Sequence, residues 1–295
     1  MNNFIDFKKD RNFDQVLQDG FNFLKYNFKS ILKYFWQLNS LWTIAFVLIS
    51  FMYVYFTMDM YSNMFAGIGR GIRDNPKKFD WISIIFIFYS LYFSYRIYAT
   101  FYGYINSYIR NKGEVKIEDI QETFRHKGFW GYFGLSIVIG FMVVLGFLLL
   151  LIPGIWVLVP ASLMVPAYFL DANSISEAID KGFKYVKHNW WYSFGVLLIT
   201  IIVILFINYL INMPLMLYGV SKAIVVIKDS TPEAISGIVK DPFIIFFSFL
   251  STILKYFLTL IQISVGAVLY YTLKERHTAA GSLEKLEQFK VEKDS

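Results

Sequence analysis

The chain of 295 residues is 56% hydrophobic and 20% aromatic, with 17% charged residues and a formal net charge of +6. A soluble domain of this length carries nearer a quarter charged residues, so a water-soluble globule is excluded and an all-α polytopic integral membrane protein is expected. The chain has no cysteine, which removes disulfides, thiolate catalysis and Cys-ligated metals.

From the N-terminus, Phe13, Val16, Leu17, Phe21, Leu24, Phe28, Leu32 and Phe35 recur at helical spacing. Lys25, Lys29 and Lys33 lie largely off that face. This predicts an amphipathic helix in the headgroup layer, its Lys stems snorkelling toward phosphate. A bilayer core of ~30 Å needs about 20 apolar residues per helix. Six runs meet or approach this: 41–58, 81–102, 133–152, 155–170, 194–211 and 243–271. The fourth is short and carries Pro160 and Pro166, which predicts a kink or an incomplete crossing. The sixth is long and is expected to tilt or to project into the cytoplasm. Gly67-Ile68-Gly69-Arg70-Gly71, between the first two runs, follows no strand and lacks the Gly-Lys-Ser/Thr of a phosphate loop, so a flexible loop is expected. The segment 215–227 is apolar but too short to cross and is interrupted by Lys222, which reads as interfacial.

Two of the 28 basic residues, Arg96 and Lys255, fall inside apolar runs. Of the rest, nineteen flank the runs on the N-terminal side of the membrane and seven on the other. Both termini are therefore expected in the cytoplasm. Basic residues spread over several juxtamembrane segments argue against nucleic acid as a partner. The first ten residues hold Asp6 and Asp10 without an apolar core, so no signal peptide is expected and the first run directs insertion.

A second amphipathic segment precedes the fifth run. Ser174 and Glu177 form a capping-box pattern there, and Ile175, Ala178, Ile179, Phe183 and Val186 form the apolar stripe. Gly20-Phe21-Asn22-Phe23-Leu24-Lys25-Tyr26-Asn27-Phe28 aligns without gaps on Gly182-Phe183-Lys184-Tyr185-Val186-Lys187-His188-Asn189-Trp190. A weaker third copy is Ile120-Gln121-Glu122-Thr123-Phe124-Arg125, running on to Phe129-Trp130. The match is either a duplication, giving three units of amphipathic helix plus helical hairpin, or the shared demand of interfacial helices for aromatics, Lys and Asn. The expected division is 1–114, an amphipathic helix with the first hairpin; 115–275, two further hairpins; and 276–295, a charged cytoplasmic tail.

From the third run to the fifth, Leu151-Ile152-Pro153-Gly154-Ile155 is followed by Pro160, Pro166 and Asp171, then Ser176-Glu177-Ala178-Ile179 and Asn189-Trp190-Trp191. This pattern resembles the membrane domain family attached to some bacterial glycerophosphodiester phosphodiesterases, which also occurs free-standing. The resemblance implies a hairpin turned at Pro153-Gly154, and a bacterial cytoplasmic (inner) membrane. The family's usual Glu is here Asp171, and a common Ser is Gly182. Its catalytic activity lies in a separate soluble barrel, for which the 24 residues after Tyr271 leave no room, so no catalytic residue carries over.

The remaining inventory argues against enzymatic chemistry. His126, His188 and His277 form no ligand pair, there is no Gly-x-Ser-x-Gly, and no cofactor is expected. The most informative residues are polar ones inside apolar runs. Ser248, Thr252, Lys255, Thr259 and Gln262 share one helix face, and Tyr89, Tyr92, Arg96, Thr100, Gly103 and Ser107 share another. Each stripe centres on a cation with no intramembrane carboxylate to meet it. Either Arg96 and Lys255, with Tyr92, Thr252, Thr259 and Gln262, bind an anionic group, or the two cations snorkel or pack under Tyr rings. Asp171 is expected to start the following helix, or to pair with Lys184 or Lys187. The leading expectation is a non-enzymatic scaffold or accessory module that binds membrane lipids or a partner protein. Lys25, Lys29, Lys184 and Lys187 would hold anionic headgroups. The alternative is a transporter or lipid-translocating protein.

Overall fold

A computed structural model describes residues 4–68, 81–229, 237–238 and 240–279. Among them the chain forms eight α-helices and no strand: α1 Phe13–Ile68, α2 Trp81–Arg110, α3 Ile117–His126, α4 Phe129–Leu149, α5 Leu151–Leu170, α6 Ile175–Val186, α7 Trp190–Asp229 and α8 Pro242–Thr278. The protein is thus all-α and polytopic. Six of these helices, all but α3 and α6, are long and apolar enough to cross a membrane. Residues 69–71 of the glycine-rich segment and the tail beyond 279 lie outside the described residues.

Three sequence expectations need correction. The first amphipathic segment is not a separate helix: it continues into the first apolar run as the 56-residue α1. No proline occurs before Pro76, so nothing breaks the backbone ladder between the two. The segment 215–227 likewise belongs to the 40-residue α7, which runs through Pro214. The third correction is the α4–α5 turn, which falls at Leu150 (φ −173°, ψ 164°) and not at Pro153-Gly154. Pro153 occupies the first turn of α5, where a missing N–H leaves no bond unmade. Gly154 serves closure instead. A Cβ on Gly146 would lie 3.0 Å from the Gly154 Cα, so only two glycines let the helices meet this near the turn.

Backbone contacts divide the chain into two units, neither contiguous. The first comprises the described residues among 1–38, 95–202 and 259–295. Its amphipathic segments each pack on the helix that precedes them, taking the chain as a ring. Ile120 and Thr123 of α3 face Gly103 of α2, and Gly182 of α6 faces Met164 and Pro160 of α5. Gly20 of α1 faces Val265 of α8, which closes the ring. A Cβ on Gly20 would sit 2.9 Å from the Val265 Cα, and one on Gly182 would sit 2.9 Å from the Pro160 carbonyl oxygen. The two glycines matched in the sequence alignment are therefore equivalent packing joints.

Aromatic residues fill this unit. Phe7, in the segment ahead of α1, is fully buried against the rings of Phe23, Tyr108 and Tyr271. Phe169 stacks on Tyr102 at 5.5 Å. The second unit comprises the described residues among 39–94 and 203–258 and is built from parts of α1, α2, α7 and α8. Phe46 stacks on Phe93 at 4.1 Å and meets Tyr256 edge-on, while Tyr53 stacks on Phe86 at 4.0 Å. Asn212 accepts from the Ser251 hydroxyl at 2.7 Å, a polar tie between α7 and α8.

Candidate functional site

The cationic faces come first. On the N-terminal part of α1, ahead of residue 39, the buried positions are Val16, Gly20, Phe23 and Ile31. Of the stripe expected from the sequence only Val16 is on this face; the rest is centred about a quarter turn away: Leu17, Phe21, Leu24, Leu32 and Phe35 are half-buried, and Phe13 and Phe28 are exposed. Lys25 and Lys29 are exposed beyond that flank. On α6 the same three faces recur. Ala178, Gly182, Tyr185 and Val186 are buried, Ile175, Ile179 and Phe183 are half-buried, and Lys184 and Lys187 are exposed. Each helix therefore offers one face to protein, an apolar flank, and lysines beyond the flank.

The caps differ from expectation in detail. Ser174 caps α6 by accepting from the Glu177 N–H at 3.1 Å, and Glu177 reaches back to the Asn173 N–H at 2.7 Å. Asp171 does not start α6. It sits at the C-terminal end of α5 and pairs with neither Lys184 nor Lys187. Its carboxylate accepts from Lys181 and Lys274, each at 2.8 Å, and from the Tyr270 hydroxyl at 3.0 Å. Burial alone would raise this carboxyl. The two ammonium groups outweigh burial and hold its pKa at about 2. Asp171 thus ties α5, α6 and α8 together. Lys181 follows ten residues later and Lys274 is 103 residues away, so only the fold brings them to it.

Two more polar centres escape sequence reasoning. Arg11 is buried, its guanidinium bonded to Asp19 at 2.7 Å and to the carbonyls of Phe7, Lys9 and Asp6. Arg276 of α8 bonds Asp10 at 2.6 Å, the Arg11 carbonyl at 2.6 Å and Asn189 at 3.2 Å, and lies over the Tyr192 ring. Together they clamp the N-terminal segment against α7 and α8. At the α2–α3 corner, Asp119 accepts from Ser107 at 2.7 Å, Asn111 at 2.8 Å and Arg110 at 3.0 Å. The Ser107 bond leads in lowering its pKa. A polar cavity of about 510 Å³ opens between this corner and the α5–α6 link, bordered by Arg110, Asp119, Glu122, His126, Lys127 and Asp171. Most of its charges already pair within the fold: Arg110 with Asp119 and Glu122, and Asp171 with Lys181 and Lys274.

The intramembrane stripes separate between the units. Arg96 belongs to the first: its guanidinium donates to the Leu38 carbonyl at 2.7 Å and lies 4.3 Å over the Phe124 ring. A ring does sit against this cation, but it is a Phe from α3 and not a Tyr. Thr100 bonds back to the Arg96 carbonyl. Tyr92, in the second unit, packs edge-on to Trp42 at 4.9 Å. Thr252 returns its hydroxyl to the Ser248 carbonyl, so it is locally satisfied. Lys255 is exposed on α8, as is Gln262, and Thr259 is half-buried.

The prolines of α5 have a definite consequence. Pro160 has no N–H, which leaves the Trp156 carbonyl without its helical donor. The Trp190 indole supplies one, at 3.1 Å. Trp156 and Trp190, with Ile152, Ile155, Trp191 and Phe194, line an apolar groove of about 450 Å³. Comparison with protein-family models, with curated proteins and with solved structures returns no match to this chain.

Proposed function

We propose that this chain is a non-catalytic membrane scaffold or accessory module that holds anionic lipid headgroups on the cationic faces of α1 and α6. One observation carries the reading. On corresponding faces of two matched segments, exposed lysines stand beside half-buried apolar flanks: Lys25, which aligns with Lys187, and also Lys29 on the first and Lys184 on the second. An apolar flank bounded by lysines suits the boundary between acyl chains and phosphates. The asymmetry of basic residues supports cytoplasmic termini, and the resemblance of residues 115–275 to the phosphodiesterase-associated membrane domain supports a bacterial inner membrane. A protein partner docked on the same face fits this role.

Native mass spectrometry in mild detergent tests it. The wild type is expected to retain anionic lipids over zwitterionic ones. A variant with Lys25, Lys29, Lys184 and Lys187 all replaced by Gln is expected to lose that preference. Each lysine near an anionic surface is worth about 1 kcal/mol, so the four together account for up to a thousandfold, roughly, in affinity. Unchanged anionic retention in the variant contradicts the proposal. A second reading, lipid translocation, draws support from the exposed Lys255 within α8. It predicts that Lys255→Ala abolishes lipid flux in proteoliposomes, and wild-type flux removes it.

A further inference from the structure

Contacts at the two ends of α5 fix the direction of the α4–α5 hairpin. At its base, Asp171 bonds Tyr270 and Lys274 of α8. Toward its tip, the Trp156 carbonyl takes the Trp190 indole, and the adjacent Asn189 is held by Arg276 of α8. Trp156 and Asp171 are separated by about 22 Å of helix. Asp171 is tied to α8 directly at Tyr270 and Lys274, and Trp156 only through Trp190 and Asn189, at Arg276, so both ends of α5 are linked to the C-terminal part of α8.

The neighbouring helices agree. Helix α6 lies antiparallel along α5: Lys181 meets Asp171, Gly182 meets Met164 and Pro160, and the Phe183 ring meets Trp156. Ile152, two residues past the turn, shares its apolar groove with Trp190, Trp191 and Phe194, the first residues of α7. The tip thus sits where α7 begins, not a bilayer's thickness along it. Were the hairpin upright in the membrane, Lys184 beside it would be carried into the hydrocarbon, where a lysine costs at least ~2.5 kcal/mol. Yet the tip is itself fit only for lipid: Leu148, Leu149, Leu150, Leu151 and Ile152 are 69–80% exposed.

We infer that α4 and α5 form a re-entrant hairpin that enters one leaflet from the side bearing α6 and returns to it, with acyl chains of that leaflet around its tip and in the Trp156–Trp190 groove. The crossing helices are then α1, α2, α7 and α8. Removing two spans keeps their number even, so the charge-based orientation is unaffected. Insertion into a single leaflet makes the hairpin a wedge, with α6 as its polar edge. The inference deepens the lipid-binding reading above by naming the acyl chains as a second lipid contact.

The chain's lack of cysteine makes the test direct. Single-cysteine variants Leu150→Cys and Ile152→Cys, both at strongly exposed positions, are treated with a membrane-impermeant maleimide in sealed vesicles of either orientation. Asn75→Cys serves as the control for the face opposite the termini. Neither tip variant is expected to react from the Asn75 side. Spin labels at Leu151→Cys and Asn173→Cys are expected at depths within about 10 Å of each other, against about 30 Å for an upright helix of this length. Labelling of position 150 or 152 from the Asn75 side, or the larger depth difference, overturns the inference. Anionic lipid retention in the same variants is read separately, so a crossing hairpin with lipid binding intact sinks the re-entrant geometry alone.

Discussion

Asp171→Asn isolates the charge at the joint of α5, α6 and α8. The folded carboxyl has a pKa of about 2 against an ordinary 3.8, because Lys181 and Lys274 overcome its burial. At 1.36 kcal/mol per unit, that depression contributes about 2 kcal/mol of stability at neutral pH. The sign follows from the direction: the contribution is complete above pH 4 and is lost as pH falls from about 4 toward 2. Asparagine can still accept from Tyr270, but it leaves two partly buried ammonium groups without their counter-charge, so the full cost at pH 7 is about 2–4 kcal/mol. The assay is thermal unfolding in detergent, followed by the fluorescence of the seven tryptophans. The variant should melt several degrees below wild type at pH 7, and the gap should close below pH 4. Equal melting at pH 7, or a gap that stays constant to pH 2.5, refutes the assignment of Asp171 as a charge-paired joint.

The matched glycine joints give a second prediction. Gly20→Ala and Gly182→Ala each place a methyl within 3 Å of opposing atoms, including the Val265 Cα and the Pro160 carbonyl. Each should cost about 1–3 kcal/mol by overpacking. Gly140→Ala meets nothing within 4 Å and should be neutral in the same unfolding assay; equal effects at all three positions would contradict equivalent joints. Arg276→Gln removes the bonds to Asp10 and the Arg11 carbonyl. Limited trypsin cleavage after Lys8, Lys9 and Arg11 should then accelerate at least tenfold, and an unchanged cleavage rate would show that other contacts hold the N-terminal segment.

Much of this fold is legible because water and lipid impose strong patterns. The apolar runs mark the long helices, and Ser174 with Glu177 marks the start of α6 by local chemistry alone. Where both neighbours of a face are apolar, the pattern loses its power. Helix α1 presents Val16, Phe23 and Ile31 to protein and Leu17, Phe21 and Leu24 elsewhere, and hydrophobicity does not distinguish the two. Proline signals a break and so points the hairpin turn to Pro153-Gly154, whereas Pro153 is equally content in the first turn of a helix. The polar centres were hidden for another reason. Arg11 sits in a charged N-terminal segment that reads as a solvated tail, and nothing local shows that Phe7 carries it into the core. Arg96 was visible as an oddity, but its ring partner Phe124 comes from a helix whose position only the fold reveals.

The central claim is that the N-terminal part of α1 and α6 lie equivalently at the headgroup layer, and the matched exposed residues Tyr26 of α1 and His188, two residues past α6, report on it most directly. A bimane label on Tyr26→Cys or His188→Cys, in nanodiscs with nitroxides at graded lipid depths, measures the position of each. The account predicts equal quenching profiles for the two sites, peaking within about 5–10 Å of the phosphates. A label in bulk water, one near the bilayer centre, or two sites at clearly different depths would contradict it.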